Sequence, residues 1–290
     1  PHIRAFVDKV HAAGGLCAYD QANGNPLLGV ARAGDAGFDL CQFNLHKTFS
    51  APHGSIGLGC AAVGVKEPLR RFLPRPVVSF DGARYGLDDD RPDAIERIRA
   101  FLGNVPTVVK AYAWVMSLGA AGLRAVAETA VLNNNYLLAN IRGIKGVAVP
   151  WPENTLPKLD QVRYSWEPLH RETGVTTMEI EQRMVDYGVQ HYMPSHVPVL
   201  VPQPFTIEPG ESLTIAEMDH MIATLRSIAA EAYDEPETVR RGPHRASIGR
   251  VDDAIANDPE TWAFTRRALV RKRPAWGARR DPSARRHAGT

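Results

Sequence analysis

Short apolar runs alternate with glycine-rich turns over the first 65 residues, and this pattern confines the fold more than any other feature of the chain. Gly15-Leu-Cys-Ala-Tyr-Asp20, Ala36 to Phe43 and Ile56 to Val65 each read as a strand, preceded by a helical stretch over Pro1–Ala13. Strands of this length, bounded by turn residues and accompanied by helix, indicate an α/β fold. Ligands of open α/β sheets bind beyond the carboxyl ends of the strands, which directs attention to Asp20 and to the residues after Phe43. Ile3, Phe6, Val7 and Val10 share one face of a helix already under way at the first residue, so the natural N-terminus is expected upstream.

Beyond the strands, residues 74–92 read as a connector rich in Pro, Gly and Asp. A helical pattern is expected from about Pro92 to Ala139, then strands at Gly143–Pro150, Val162–Trp166 and Val197–Val201. Thr176–Tyr187 is a predicted helix stopped by Gly188, with Ile180, Met184 and Val185 inward. Thr214-Ile-Ala-Glu217 is a capping box that opens a helix whose apolar face runs Ile215, Met218, Ile222, Leu225, Ile228 and Ala232. No stretch approaches 18 consecutive apolar residues, so no membrane span is expected. Cys17, Cys41 and Cys60 are odd in number and lack C-x-x-C spacing, which argues against a disulfide framework or zinc site and fits a reducing cytoplasm with cysteines in the core. Charge is unevenly placed. Residues 264–290 hold nine basic residues against one acid, Asp281, while the first 263 hold 25 basic against 31 acidic. The acidic body is no broad nucleic-acid surface; the tail could bind a polyanion or be a disordered, solubilising end.

The chemistry concentrates in Asn44-Leu-His-Lys-Thr-Phe-Ser-Ala-Pro-His-Gly54 and the Gly57 and Gly59 that follow. Burying a lysine is costly, so a lysine just after an apolar strand suggests a functional amine. A lysine of depressed pKa forms a Schiff base with an aldehyde, the way pyridoxal phosphate is held. That cofactor needs an acid against its pyridine nitrogen. Asp20 ends the preceding strand, and two neighbouring parallel strands would bring both ends to one rim of the sheet.

Several strings carry a close resemblance: Tyr19-Asp-Gln-Ala-Asn-Gly-Asn25, Arg32-Ala-Gly-Asp-Ala-Gly-Phe-Asp39, Asn44-Leu-His-Lys-Thr-Phe49, Arg99-Ala-Phe-Leu-Gly-Asn104, Ala130-Val-Leu-Asn-Asn-Asn-Tyr-Leu-Leu138 and Ile207-Glu-Pro209. Together they are similar to the catalytic C-terminal half of the glycine decarboxylase P-protein family, found in many bacteria as a separate subunit 2. The resemblance implies fold type I of pyridoxal-phosphate enzymes, with an N-terminally truncated large domain over 1–129, a small α/β domain over 130–245 and an extension with the basic tail over 246–290. It implies Lys47 and His46 as catalytic residues, with the cofactor on Lys47. It further implies cofactor contacts from Asp20 (pyridinium nitrogen), Ala22 (against the ring), Asn23, Asn44, His46 and Thr48, and no metal. Residues that stack on the ring and hold the phosphate would lie upstream of Pro1. The implied reaction is decarboxylation of glycine with transfer of the aminomethyl group to the lipoyl arm of H-protein. The implied partners are glycine, lipoylated H-protein and a P-protein subunit 1 or N-terminal half.

The chain departs from the family in three places. The nearly all-glycine loop of the family is Pro52-His-Gly-Ser-Ile-Gly-Leu-Gly59 here, Gln21 replaces a glycine, and Gln161–Trp166 lacks the family's His-Glu pair. A paralogue using the same cofactor on another amino acid is therefore a second reading, and an inactive assembly subunit a third. His53, His191 and His196 could border the site or serve their loops. Glu128, Glu179 and Glu181 are expected to be solvated on helices.

Overall fold

The structure is a computed structural model that describes residues 2–53, 57, 59–98, 103–189, 193–194, 200–247, 249–250, 258, 262 and 265–279. Helix α1 (Ile3–Ala12) leads to a three-stranded sheet in the order β1 (Ala18–Gln21), β2 (Leu40–Asn44), β3 (Ala61–Val65). Strands β1 and β2 pair in parallel with Asp20 opposite Gln42, and β3 returns antiparallel to β2. Both functional strand ends thus meet on one rim, as the sequence predicts. The third strand is shorter than expected; residues 54–56 and 58 lie outside the described residues. Only Val7 of the α1 face is fully buried, against Cys17, Ala33 and Phe38, whereas Ile3 and Phe6 are exposed. Of the three cysteines only Cys17 is a core residue; Cys41 and Cys60 are half-buried, and all three are free.

The connector is more structured than its composition suggests. A short helix α2 (Glu67–Arg70) is followed by a hairpin of β4 (Val77–Phe80) and β5 (Tyr85–Asp88). The hairpin turn closes because Asp81 Oδ1 accepts from the amides of Ala83 and Arg84 at 2.8 Å, an Asx-type turn. Those amide bonds also hold the Asp81 carboxyl below the usual carboxylate range. The long helix α3 begins only at Val105 and runs to Ile141, not from Pro92. Ion pairs Arg75–Glu96 and Arg97–Asp89 fasten the preceding segment as a loop, and Gly103 at φ 108° stands outside helical geometry just before the Asn104 cap. Within α3, Gly119 at φ 62° interrupts the helix, a conformation that glycine adopts without strain. By length and composition α3 could cross a bilayer, with a mean hydropathy of 1.4 in its most apolar window, although its sequence holds no unbroken apolar run approaching 18 residues. Its last turns are committed to protein: Leu137 and Ile141 are fully buried in the second core.

That second core is built on an antiparallel sheet ordered β6 (Val162–Ser165), β8 (Pro204–Ile207), β7 (Met193–Pro194). Tyr164, Phe205 and Trp166 stack at centroid distances of 5.0 and 5.1 Å and are fully buried. Helices α4 (Glu167–Thr173), α5 (Thr177–Met184), α6 (Ile215–Asp234) and α7 (Pro236–Arg240) cover the sheet. The Thr214 capping box is present, and Thr176–Glu179 forms another at α5. Met218, Ile222, Leu225, Ile228 and Ala232 are buried as predicted, but Ile215 is exposed because it lies at the first helical position, outside the packed turns. Val185 is likewise exposed, since α5 tightens into a 3₁₀ turn at Val185–Tyr187 that rotates it off the helical face before Gly188. The strand expected over Gly143–Pro150 reduces to one bridge, Ala148 to Ser165, because Gly146 at φ 86° turns the chain against Leu169. Residues 197–199 of the strand expected at 197–201 lie outside the described residues, while Leu200 and Val201 form a turn and bend before β8, which the sequence reading missed.

Two acids expected in solvent are not free in it: Glu179 closes the α5 cap, and Glu181 is buried. Glu128 is exposed and pairs with Arg124. Near the C-terminus, Arg266–Arg279 forms a helix, α8, where an irregular tail was expected; residues 280–290 lie outside the described residues.

Candidate active site

The rim of the β1–β2 pair is set by complementary hydrogen bonds. Asp20 Oδ1 accepts from the amide of Ala22 at 3.0 Å and from Gln42 Nε2 at 2.6 Å, its partner across the ladder. Both bonds fall on the same oxygen, so Oδ2 remains as an acceptor for an N–H that approaches the rim. Beyond β2 the chain makes a compact turn: the Lys47 amide donates to Asn44 O, the Ser50 amide to Lys47 O and the Ala51 amide to Leu45 O. Ser50 takes φ 58°, a left-handed conformation uncommon outside glycine. Lys47 is exposed, not buried among apolar side chains as its position after a strand suggested. Three residues past the strand end, it lines a cavity of about 470 Å³.

This cavity lies between the Lys47 turn and the loop that follows β8. Of the predicted site residues it brings together Asn23, Lys47 and Thr48; Asp20, Ala22, Asn44 and His46 are not in its lining. Sequence reasoning missed Asn25, Ser50, Asp160, Glu208 and Glu211, which also line it. Asn25 and Glu208 stand inside the strings that carried the resemblance, so their place in those strings was an available signal; Asp160 had none. Asn23 Nδ2 donates to Glu208 Oε2 at 2.8 Å and Asn25 Nδ2 to Glu211 Oε2 at 2.8 Å. Burial pushes the Asp160 carboxyl up, and the nearby Glu208 carboxylate pushes it further, against hydrogen bonds from its own amide and from Asn23. Tyr19, stacked on Phe38 at 4.7 Å, is pushed up by burial and then by Asp160.

His46 faces the base of the turn. Its Nδ1 lies 2.9 Å from the Cys60 amide and 3.0 Å from Cys60 O. The Cys60 amide can only donate, so Nδ1 accepts from it and the neutral ring carries its N–H at Nε2. The His53 ring sits edge-on to His46 at 4.2 Å, and its buried Nδ1 has no partner among the described residues. Ser55, Ile56, His191 and His196 lie outside the described residues. A Cβ at Gly24 would stand 3.1 Å from the Phe43 ring, so the ring would have to give by a few tenths of an ångström to admit one.

The site residues fit pyridoxal phosphate in the respects this chain can meet. Lys47 lines a cavity past the end of β2, and Asp20 stands on the same rim, both of its bonds among the described residues falling on Oδ1.

The chain resembles known proteins in sequence and in fold. Residues 126–244 match the family model described as glycine dehydrogenase, C-terminal domain. The chain is 43% identical over 257 residues to the probable glycine dehydrogenase (decarboxylating) subunit 2 of Pyrococcus abyssi (strain GE5 / Orsay), covering 88% of this chain and 50% of that protein. It spans about half the length of the curated relatives it matches. Among solved structures, an inhibitor-bound glycine decarboxylase (P-protein) of the glycine cleavage system superposes with a TM-score of 0.61 at 18% identity, over 78% of this chain and 51% of that one. A cysteine desulfurase from Thermococcus onnurineus NA1 superposes with a TM-score of 0.57 at 14% identity, over 79% of this chain and 56% of that one. These likenesses show the fold: that of the type I pyridoxal-phosphate enzymes.

Proposed function

The chain belongs to the glycine dehydrogenase (decarboxylating) P-protein family, as a relative of its C-terminal half, and from that premise we propose that the assembled protein decarboxylates glycine with pyridoxal phosphate held on Lys47. In this reading the aminomethyl group passes to the lipoyl arm of H-protein, and a subunit 1 or N-terminal half completes the large domain. Residues 1–129 would belong to that large domain and 130–245 to the small one, in the cytoplasm. The observation that supports the reading is that Lys47 lines a cavity past the end of β2, the parallel partner of the strand that bears Asp20.

Each residue has a definite task. Lys47 supplies the amine for the cofactor's aldehyde, and being exposed to the cavity it is accessible to it. Asp20 holds its carboxylate through Ala22 and Gln42 and offers Oδ2 to the ring N–H, which keeps that nitrogen protonated. When bound, pyridoxal phosphate supplies an electron sink for the bond to the departing carboxyl carbon. Ala22 borders the ring, Asn44 anchors the lysine turn through its carbonyl, and Thr48 fixes the residue next to the amine. His46, whose Nδ1 is engaged by the Cys60 amide, would have Nε2 left to donate to an anionic group of the substrate or cofactor. Asn23 reaches into the cavity, its amide oriented by Glu208.

Visible absorbance tests the cofactor reading. The assembled protein with added pyridoxal phosphate is expected to be yellow, and borohydride should bleach it and leave the label on the Lys47 peptide. Lys47→Ala should lose both colour and label; a colourless wild-type protein would overturn the reading. Glycine-dependent exchange of labelled bicarbonate, with lipoylated H-protein present, tests the substrate. A second reading, the same cofactor acting on another amino acid, is favoured by Gln21, whose side chain is buried where the family carries glycine. Bound cofactor with no glycine exchange, but exchange with another amino acid, would select it.

A further inference from the structure

Thr48, the residue after Lys47, is buried and does not face solvent as a hydroxyl on a rim turn could. It accepts from the Gly24 amide at 2.8 Å and donates to Asn25 Oδ1 at 2.6 Å. Asn25 passes the connection on, its Nδ2 donating to Glu211 Oε2 at 2.8 Å. Glu211 sits in the loop between β8 and α6, and that loop is itself pinned: Asn133 of α3, almost fully buried, donates to Gly210 O at 2.9 Å and to Leu213 O at 3.2 Å. A continuous polar chain therefore runs from the small domain's loop to the residue adjoining the lysine. Each member is used to capacity in one sense: the hydroxyl spends its one proton on Asn25, whose oxygen is thereby fixed and whose amide must face a carboxylate. Hydrogen bonds to charged acceptors in a partly buried setting are the stronger kind.

We propose that Asn25 and Glu211 are positioning residues for Lys47: the relay Thr48–Asn25–Glu211 lets the seating of the small-domain loop set the direction in which the lysine amine enters the cavity. The proposal rests on the reading of Lys47 as the cofactor lysine. Neither residue touches the reacting atoms, and both act through Thr48. The strained Ser50 two residues on gives the turn little freedom to compensate when the relay is cut, because its backbone already stands in a sparsely populated region.

Asn25→Asp tests the relay by placing a carboxylate against Glu211, where the native amide donates. Asn25→Asp combined with Glu211→Gln reverses the polarity of the pair, because Gln donates to the new Asp while the Asp still accepts from Thr48. Two measurements apply to the assembled protein: hydrogen exchange at the Gly24 amide without cofactor, and the wavelength and pH midpoint of the lysine-bound cofactor's absorbance. Asn25→Asp is expected to speed Gly24 exchange by about tenfold, the loss of roughly one hydrogen bond's net worth, and to move the midpoint. The double variant should return both to within about twofold of wild type. Glu211→Ala, on a half-buried loop position, is expected to shift the same readouts and serves if Asn25→Asp does not fold. Unchanged exchange and midpoint in Asn25→Asp or Glu211→Ala, or no recovery in the double variant, overturns the relay. A wild-type protein that forms no lysine-bound band instead overturns the cofactor reading, which separates the two failures.

Discussion

Removing the Asp186 carboxylate probes how the small domain holds the segment that follows α7. Asp186 is almost fully buried, and its oxygens accept from Arg183 Nη1 at 2.5 Å and from the amides of His244 and Arg245 at 2.6 to 2.8 Å. Arg183 also pairs with Glu231, at 2.8 Å and 3.0 Å, so Asp186→Ala leaves the guanidinium with one of its two carboxylates. Breaking a buried pair costs about 3–5 kcal/mol when the remaining charge is unpaired. Glu231 remains, and the two amides belong to exposed residues that water can reach, so the lower end applies: about 3 kcal/mol. With a urea slope of about 1–3 kcal/mol per molar, the midpoint should fall by at least about 1 M. The fluorescence of Trp166, fully buried in the same core, provides the assay. Burial alone would raise the Asp186 carboxyl, but the bonds from Arg245, His244 and Arg183 outweigh it and hold it below its ordinary value. A lowered folded pKa means that the contribution is complete above the unfolded carboxylate value of about 4 and fades as pH falls through the folded one. The gap between wild type and variant should therefore be full at pH 7 and narrow below about pH 4. An unchanged midpoint at pH 7, or a gap that widens on acidification, would refute the assignment.

Other expected outcomes follow from the same reasoning. Gly24→Ala puts a methyl 3.1 Å from the Phe43 ring and disturbs the amide that Thr48 receives, so it should cost about 1–3 kcal/mol by denaturation and weaken cofactor binding measured by absorbance. Thr214→Ala removes the α6 capping box and should lower stability by about 1 kcal/mol, with exchange faster only in the first turn of the helix. Trp166→Leu, which empties part of the stack with Phe205, should lower small-domain stability by about 2–4 kcal/mol, measured by circular dichroism in urea.

The local elements that sequence reads well are those whose signal is local. The Thr214 box and the period of Met218, Ile222, Leu225 and Ile228 are set by spacing along one helix, and both are present. The parallel pairing of β1 with β2 was legible because two apolar runs with polar ends can share a rim in few ways. The β4–β5 hairpin was not, because its turn depends on Asp81 capping two amides, a detail hidden in a stretch rich in breakers. Ile215, Val185 and Phe6 obeyed the apolar period yet stand exposed, because a period tells which residues share a face but not how far along the element a partner extends.

From sequence alone came the candidate site, a lysine in Asn44-Leu-His-Lys-Thr-Phe49 and an aspartate one strand earlier, and a family likeness that residues 126–244 and the relatives' identity bear out. Tertiary structure alone decided what surrounds that lysine. Asn25, Asp160, Glu208 and Glu211 line the same cavity, and the bond of Asn25 with Glu211 spans 186 positions, a separation over which no periodicity carries information. Hydrogen bonds between such side chains depend on position to within tenths of an ångström, which is fixed only when the loop after β8 is pinned by Asn133 and laid against the strand rim.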